Sequence, residues 1–138
     1  MAEAENNFAR QPEFEPFWQG LRDGHFELPR CGDCGRFHWY PMIRCPHCIS
    51  ANIVWSRIDG RGRLYSWTVV RRAFAADFED KVPYTVGLVE FGAAPGVRFV
   101  SEIVVAPAQA LVIDMPVEPL FPATNEALPR ILFAAVES

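Results

Sequence analysis

Lysine is nearly missing from this sequence: Lys81 stands alone against twelve arginines. The 13 basic residues are outnumbered by 17 acidic ones, giving a formal net charge of −4. There is no basic tail and no surplus of positive charge with which to hold a nucleic-acid backbone, so the balance argues against a general nucleic-acid binder. A long apolar run is also missing. The longest uncharged apolar stretch, Ile103 to Ile113, has 11 residues and is broken by Pro107 and Gln109, whereas a membrane helix takes about 20. The opening Met1-Ala-Glu-Ala-Glu-Asn-Asn is acidic and polar, the opposite of a signal peptide. The expectation is a cytoplasmic protein without membrane attachment. Catalytic motifs are scarce too. No P-loop and no G-x-S-x-G elbow occur, and Gly60-Arg-Gly62 precedes a strand, which makes it a β-bend. The three histidines, His25, His38 and His47, have no evident catalytic partners, and His38 and His47 read as packing or solvent-facing. No catalytic residue is assigned.

What is present suffices for a core. Half of the 138 residues are hydrophobic and 22% are charged, which excludes disorder and fibre and suits one compact domain or a small domain with a zinc-type module. All four cysteines fall within 18 residues, as Cys31-Gly-Asp-Cys34, ten residues, and Cys45-Pro-His-Cys48. Two C-x2-C knuckles supply four thiolates at the bite a tetrahedral Zn²⁺ accepts. Gly35 follows the first knuckle, where the turn favours a residue tolerant of positive φ; Ile49 holds the matching position after the second and departs from that ideal. Two disulfides are the rival reading, disfavoured in a reducing cytosol, and a redox C-x-x-C accounts for only one pair. With every ligand position filled by protein, the zinc is structural and no cysteine is left as a nucleophile. Four thiolates and one Zn²⁺ carry the net charge from −4 to −6.

Along the chain, residues 1–25 read as an N-terminal helical segment, 26–52 as the zinc ribbon and 53–138 as a barrel domain. From Pro12 to Asp23 the residues Phe14, Phe17, Trp18 and Leu21 form one helical face, with Gly24 as its stop. Strands are expected at Ile53–Asp59, Arg63–Ala73, Tyr84–Phe91, Val97–Val105, Val117–Phe121 and Arg130–Val136, separated by glycine and proline. In the second, Tyr65, Trp67 and Val69 alternate with Leu64, Ser66, Thr68 and Val70. Short strands with a glycine-marked bend suggest a small closed barrel of the OB type. The class is mainly β. The helical stripe, together with Phe74 and Phe78 in the loop 74–82, exceeds what such a barrel needs for its core, so part of this apolar surface is expected to stay exposed for a partner.

One stretch is locally basic. Residues 57–72 hold Arg57, Arg61, Arg63, Arg71 and Arg72 against Asp59 alone, around Tyr65 and Trp67. Such a stretch is either a solvated edge or a site for phosphates beside a flat ring system, as in single-stranded nucleic acid or the nucleotide end of coenzyme A.

Taken in order, Phe17-Trp18-Gln-Gly-Leu21, CGDCG…CPHC, Trp55, GRGRLYSWTVV, Val82-Pro83-Tyr84-Thr-Val-Gly-Leu-Val89 and Asp114-Met-Pro-Val117-Glu resemble the DUF35 family, from about residue 13 to 136. The family joins a rubredoxin-like zinc ribbon to an OB-fold and is often called acyl-CoA-associated. This chain departs from it where glycine is usual, at Ile49 and Asp114, and around Pro41-Met-Ile-Arg44. The resemblance implies an auxiliary subunit that binds or organises coenzyme A thioesters, in lipid metabolism, for a thiolase-superfamily enzyme or an enoyl-CoA hydratase-like protein. Its expected ligands are one structural zinc on Cys31, Cys34, Cys45 and Cys48, and coenzyme A or acyl-CoA. Candidate contacts to the phosphates and acyl group are Arg61, Arg63, Trp67, Arg71, Arg72, Phe74 and Phe78. The alternative is a single-stranded nucleic-acid-binding OB module. Homo-oligomerisation stays open.

Overall fold

The computed structural model describes residues 12–73, 76, 82–106, 109–121 and 131–136. These divide into two compact units. The first contains residues up to Asp59 together with Ala93–Val97; the second contains Gly60–Gly92, Arg98–Leu120 and the strand that follows Ile131.

The first unit starts with a 3-10 turn, Pro12–Phe14, running into helix α1, Glu15–Arg22. Gly24 adopts φ +81°, and the His25 N–H returns to the Gly20 carbonyl at 2.7 Å, which closes the helix with a left-handed turn at the expected stop. Strands β1 (Phe26–Cys31) and β2 (Ile53–Ile58) form an antiparallel two-stranded sheet in which Leu28 faces Ser56 and Cys31 faces Ile53. The strand expected from Ile53 is therefore real, but its partner is β1 and not a barrel strand. The helical stripe is spent on this unit. Phe14, Phe17 and Leu21 are buried. The Phe17 ring lies 5.9 Å from Phe26 and 4.8 Å from Trp39, centroid to centroid. Trp18, the fourth residue of the stripe, is half-buried, and Phe74 and Phe78, the rest of the apolar surplus expected to stay exposed, lie outside the described residues. The residues between the knuckles, Trp39 above all, supply a surface for the stripe that spacing along the chain does not reveal.

The second unit holds a closed five-stranded barrel, ordered β3-β4-β5-β7-β6, with β6 returning to β3; the first residues of β5, Ala94–Val97, are grouped with the first unit. Its strands are β3 (Gly62–Val70), β4 (Tyr84–Phe91), β5 (Ala94–Val104), β6 (Pro116–Leu120) and β7 (Leu132–Ala135). β5 and β7 pair in parallel. Phe91, Phe99 and Phe133 fill the interior as a triangle of rings 6.0–6.4 Å apart, with Leu64, Val89, Ile103 and Val117 buried around them. At Gly62 a Cβ would sit 2.5 Å from the Glu90 carbonyl oxygen, so only glycine lets β3 start this close to β4. The simple alternation expected along β3 is broken. A bulge between Leu64 and Ser66 shifts the register, placing Trp67 opposite Gly87 while Leu64 stays buried opposite Val89. One extra residue moves the following side chains to the other face.

No helix among the described residues is long and apolar enough to cross a membrane.

Candidate functional site

The cysteines converge. All four Sγ atoms lie within 4.8 Å of one another, with Cys31–Cys48 at 3.5 Å and Cys34–Cys45 at 3.7 Å. Four sulfurs on a tetrahedron with metal–sulfur bonds of about 2.3 Å stand about 3.8 Å apart. The cage therefore fits Zn²⁺ and is too open for two disulfides, whose sulfurs bond at about 2.0 Å.

The two knuckles are built alike. In the first, the Asp33 and Cys34 N–H groups donate to Cys31 Sγ at 3.3 Å, and Gly35 N–H donates to the Cys31 carbonyl. In the second, His47 N–H donates to Cys45 Sγ at 3.3 Å, and Ile49 N–H to the Cys45 carbonyl. The closing residue is left-handed in both, φ +79° at Gly35 and +69° at Ile49. A bond network joins the loops: Asp33 accepts from the Ser50 hydroxyl and from the Asn52 amide, which hold its carboxyl below the usual carboxylate range. The N–H groups of Cys34 and Asp33 outweigh burial at Cys31 and draw its thiol down to about 6. At Cys48 the Ser50 N–H pulls downward, but hydrogen bonds with the Cys31, Cys34 and Cys45 sulfurs, together with burial, push the thiol up to about 12. Metal binding at such a cluster displaces the thiol protons and is therefore favoured as pH rises.

His38 is buried at 5% exposure, and neither ring nitrogen has a hydrogen-bond partner. It packs; it does not ligate. Among the described residues, the four cysteines are the one group of metal-ligating side chains close enough to share an ion.

The arginine stretch is divided by the barrel. Arg61 and Arg63 flank the start of β3, whereas Arg71 and Arg72 follow its end at Val70. At about 3.3 Å per residue, the two pairs stand about 25 Å apart along an extended strand. Arg61 is paired with Glu118 at 3.7 Å; both ends are exposed, so the pair contributes little. Arg63, Arg71 and Arg72 are exposed and have no ion pair among the described residues. Tyr65 is exposed, but one face of its ring is taken: the Arg98 guanidinium lies over it at 4.2 Å and also pairs with Glu90 at 3.5 Å. Trp67 is half-buried. Phe74 and Phe78 lie outside the described residues. Sequence reasoning missed Arg98, because β-register alone brings it across to Tyr65.

Comparison with known proteins agrees with this geometry. Residues 18–54 match the family model described as the ChsH2 rubredoxin-like zinc ribbon domain, and residues 55–121 match the ChsH2 C-terminal OB-fold domain. A search of curated protein sequences finds no match. Among solved structures, the chain is similar to one described as an Ltp2-ChsH2(DUF35) aldolase, with a TM-score of 0.77 and 25% identity over 92% of this chain and 97% of that one. It also shares the fold of a DUF35-family protein of unknown function from Sulfolobus solfataricus, with a TM-score of 0.68 and 18% identity over 97% of this chain and 92% of that one.

Proposed function

We propose that this chain, which belongs to the DUF35 family of zinc-ribbon and OB-fold proteins, is an auxiliary subunit that binds or organises coenzyme A thioesters for a partner enzyme. The observation that carries the reading is the convergence of all four cysteines on one cage. Carbon–carbon bond chemistry at a thioester calls for a nucleophile or base poised beside the carbonyl. Here the thiols are committed to metal, and His38 is enclosed without a partner. Likeness to the DUF35 chain of an Ltp2-ChsH2 aldolase supports pairing with an enzyme that supplies the reacting groups. A thiolase-superfamily enzyme, or a hydratase-like one, is the partner class. The cage holds one structural zinc, which fixes the ribbon and takes no part in the reaction.

The nucleic-acid alternative fares worse. One face of the Tyr65 ring is covered by Arg98, so the exposed stacking surface that single-strand binders use is reduced.

The test is co-expression with a thiolase-superfamily protein encoded nearby, followed by size-exclusion chromatography and titration with acyl-CoA. The reading expects coelution and binding of the thioester. A chain that elutes alone and binds no thioester, with or without the enzyme, refutes it.

A further inference from the structure

The two knuckles are tied to each other by side chains as well as by their sulfurs. Asp33 lies inside the first knuckle, and Ser50 and Asn52 lie just beyond the second. The Asp33 carboxylate accepts from the Ser50 hydroxyl at one oxygen and from the Asn52 side-chain amide at the other, the latter at 3.4 Å. The Asn52 N–H donates to Ser50 Oγ at 3.0 Å, and the Gly32 N–H donates to the Asn52 carbonyl at 2.7 Å. Gly32 makes room for this clasp, because a Cβ there would overlap the Asn52 amide.

Asp33 and Ser50 also reach the ligand cysteines through their backbones. The Asp33 N–H donates to Cys31 Sγ at 3.3 Å. The Ser50 N–H donates to the Cys48 sulfur, and the Ser50 carbonyl accepts from the Cys45 N–H at 2.8 Å. The bond between the two side chains therefore fixes, on either side of the cage, a residue whose N–H supports a sulfur. Electrostatics does not account for the carboxylate. Four thiolates around one dication are net negative, and a further negative charge beside them is repelled. What Asp33 contributes is its pattern of acceptors: two oxygens, each taking a donor from a different residue. Water competes for any single exposed bond of this kind, so each alone is weak. Joined in a network, the remaining bonds keep the loops together when one opens.

We infer that Asp33 and Ser50 are positioning residues for the zinc: their clasp holds the two knuckles against each other and slows release of the metal. A chelator has to draw the cysteines away one knuckle at a time, and the clasp opposes that parting. The inference concerns metal retention alone and does not rest on the function proposed above.

The test uses the full chain loaded with Zn²⁺ or Co²⁺, as wild type, Ser50→Ala, Ser50→Thr, Asp33→Ala and Asp33→Ala/Ser50→Ala, with circular dichroism confirming that each is folded. Release of zinc is timed in excess chelator, and the thiolate-to-cobalt absorption band reports the hydrogen bonds on the sulfurs. Ser50→Ala and Asp33→Ala are expected to release zinc about tenfold faster than wild type. The double variant should be no faster than the faster single one, and Ser50→Thr, which keeps the hydroxyl, should release at close to the wild-type rate. The cobalt band should move to longer wavelength in Ser50→Ala, as Cys31 Sγ loses part of its N–H support, and return in Ser50→Thr. If Asp33→Ala does not fold, the two Ser50 variants make the same comparison. Wild-type release by Ser50→Ala overturns the inference, and so does a Ser50→Thr that behaves like Ser50→Ala. Additive acceleration in the double variant also overturns it. Faster release with an unmoved cobalt band would make the clasp a general brace of the ribbon and remove the positioning role.

Discussion

In the first unit the ends of the cysteine loops are held by N–H···S bonds and by a cage of four sulfurs. In the second, Phe91, Phe99 and Phe133 meet in a closed barrel whose interior is apolar. The first is a short sheet with one helix, too small to keep its loops in place by burial alone, and its order depends on a ligand. The second carries its own core. Each unit accordingly has its own point of failure, and each can be broken without chemistry borrowed from the other.

Removing a metal ligand is the harshest test of that contrast. Cys34→Ser should abolish zinc binding, whose apparent contribution in small zinc modules is about 10–16 kcal/mol. Hydrogen exchange should then show protection lost over β1, β2 and the knuckles but kept in β3–β7. Uniform loss across both units would mean that the barrel depends on the ribbon.

The converse break is Phe133→Ala. Truncating a fully buried ring of the triangle should cost about 3–5 kcal/mol. Denaturant unfolding measures the cost, and zinc stoichiometry of the folded fraction should stay unchanged.

A milder comparison makes the same exchange in each unit. Among the described residues, the two non-glycine residues with positive φ are Ile49 at +69° in the ribbon and Asp114 at +67° in the barrel. A β-branched side chain in that region is strained by about 1–2 kcal/mol, whereas aspartate tolerates it. Ile49→Gly should therefore raise ribbon stability by about 1 kcal/mol after the added entropy of the unfolded chain. Asp114→Gly should change the barrel by less. Thermal melts of both variants decide this, and a destabilised Ile49→Gly would contradict it.

The smallest effect concerns His38. Burial, and then the nearby His47, lower its pKa from the ordinary imidazole value of 6.5. The stability due to the neutral ring is complete above 6.5 and is lost as pH falls through the lower folded value. With zinc saturating, His38→Leu should thus lose less stability than wild type between pH 7 and pH 5. Parallel losses would show that the ring is hydrated when folded.

The same contrast explains what could be read from the sequence. The metal site was legible because ligation chemistry fixes both residue type and spacing, as in Cys31-Gly-Asp-Cys34 and Cys45-Pro-His-Cys48. The helix and barrel strands were legible from periodicity and from glycine and proline breaks. The left-handed turns at Ile49 and Asp114 fall where the family resemblance expects glycine, so even those departures were marked. What stayed hidden depends on pairing between distant segments. The partner of Ile53–Ile58, the bulge that re-aims Trp67, and the docking of Phe17 on Trp39 are set by pairing and packing between segments distant in sequence. Adjacent arginines were read as neighbours, yet Arg63 and Arg71 lie at opposite ends of one strand.

The central claim, that this chain assists an enzyme and does not replace one, is tested most directly by reconstitution. Thioester turnover should be followed while the zinc-loaded chain is titrated into a fixed amount of a thiolase-superfamily partner. The account predicts no turnover by the chain alone and a rate that rises and saturates as the chain is added. Turnover by the chain alone, surviving repurification and chelation of adventitious metal, would contradict it.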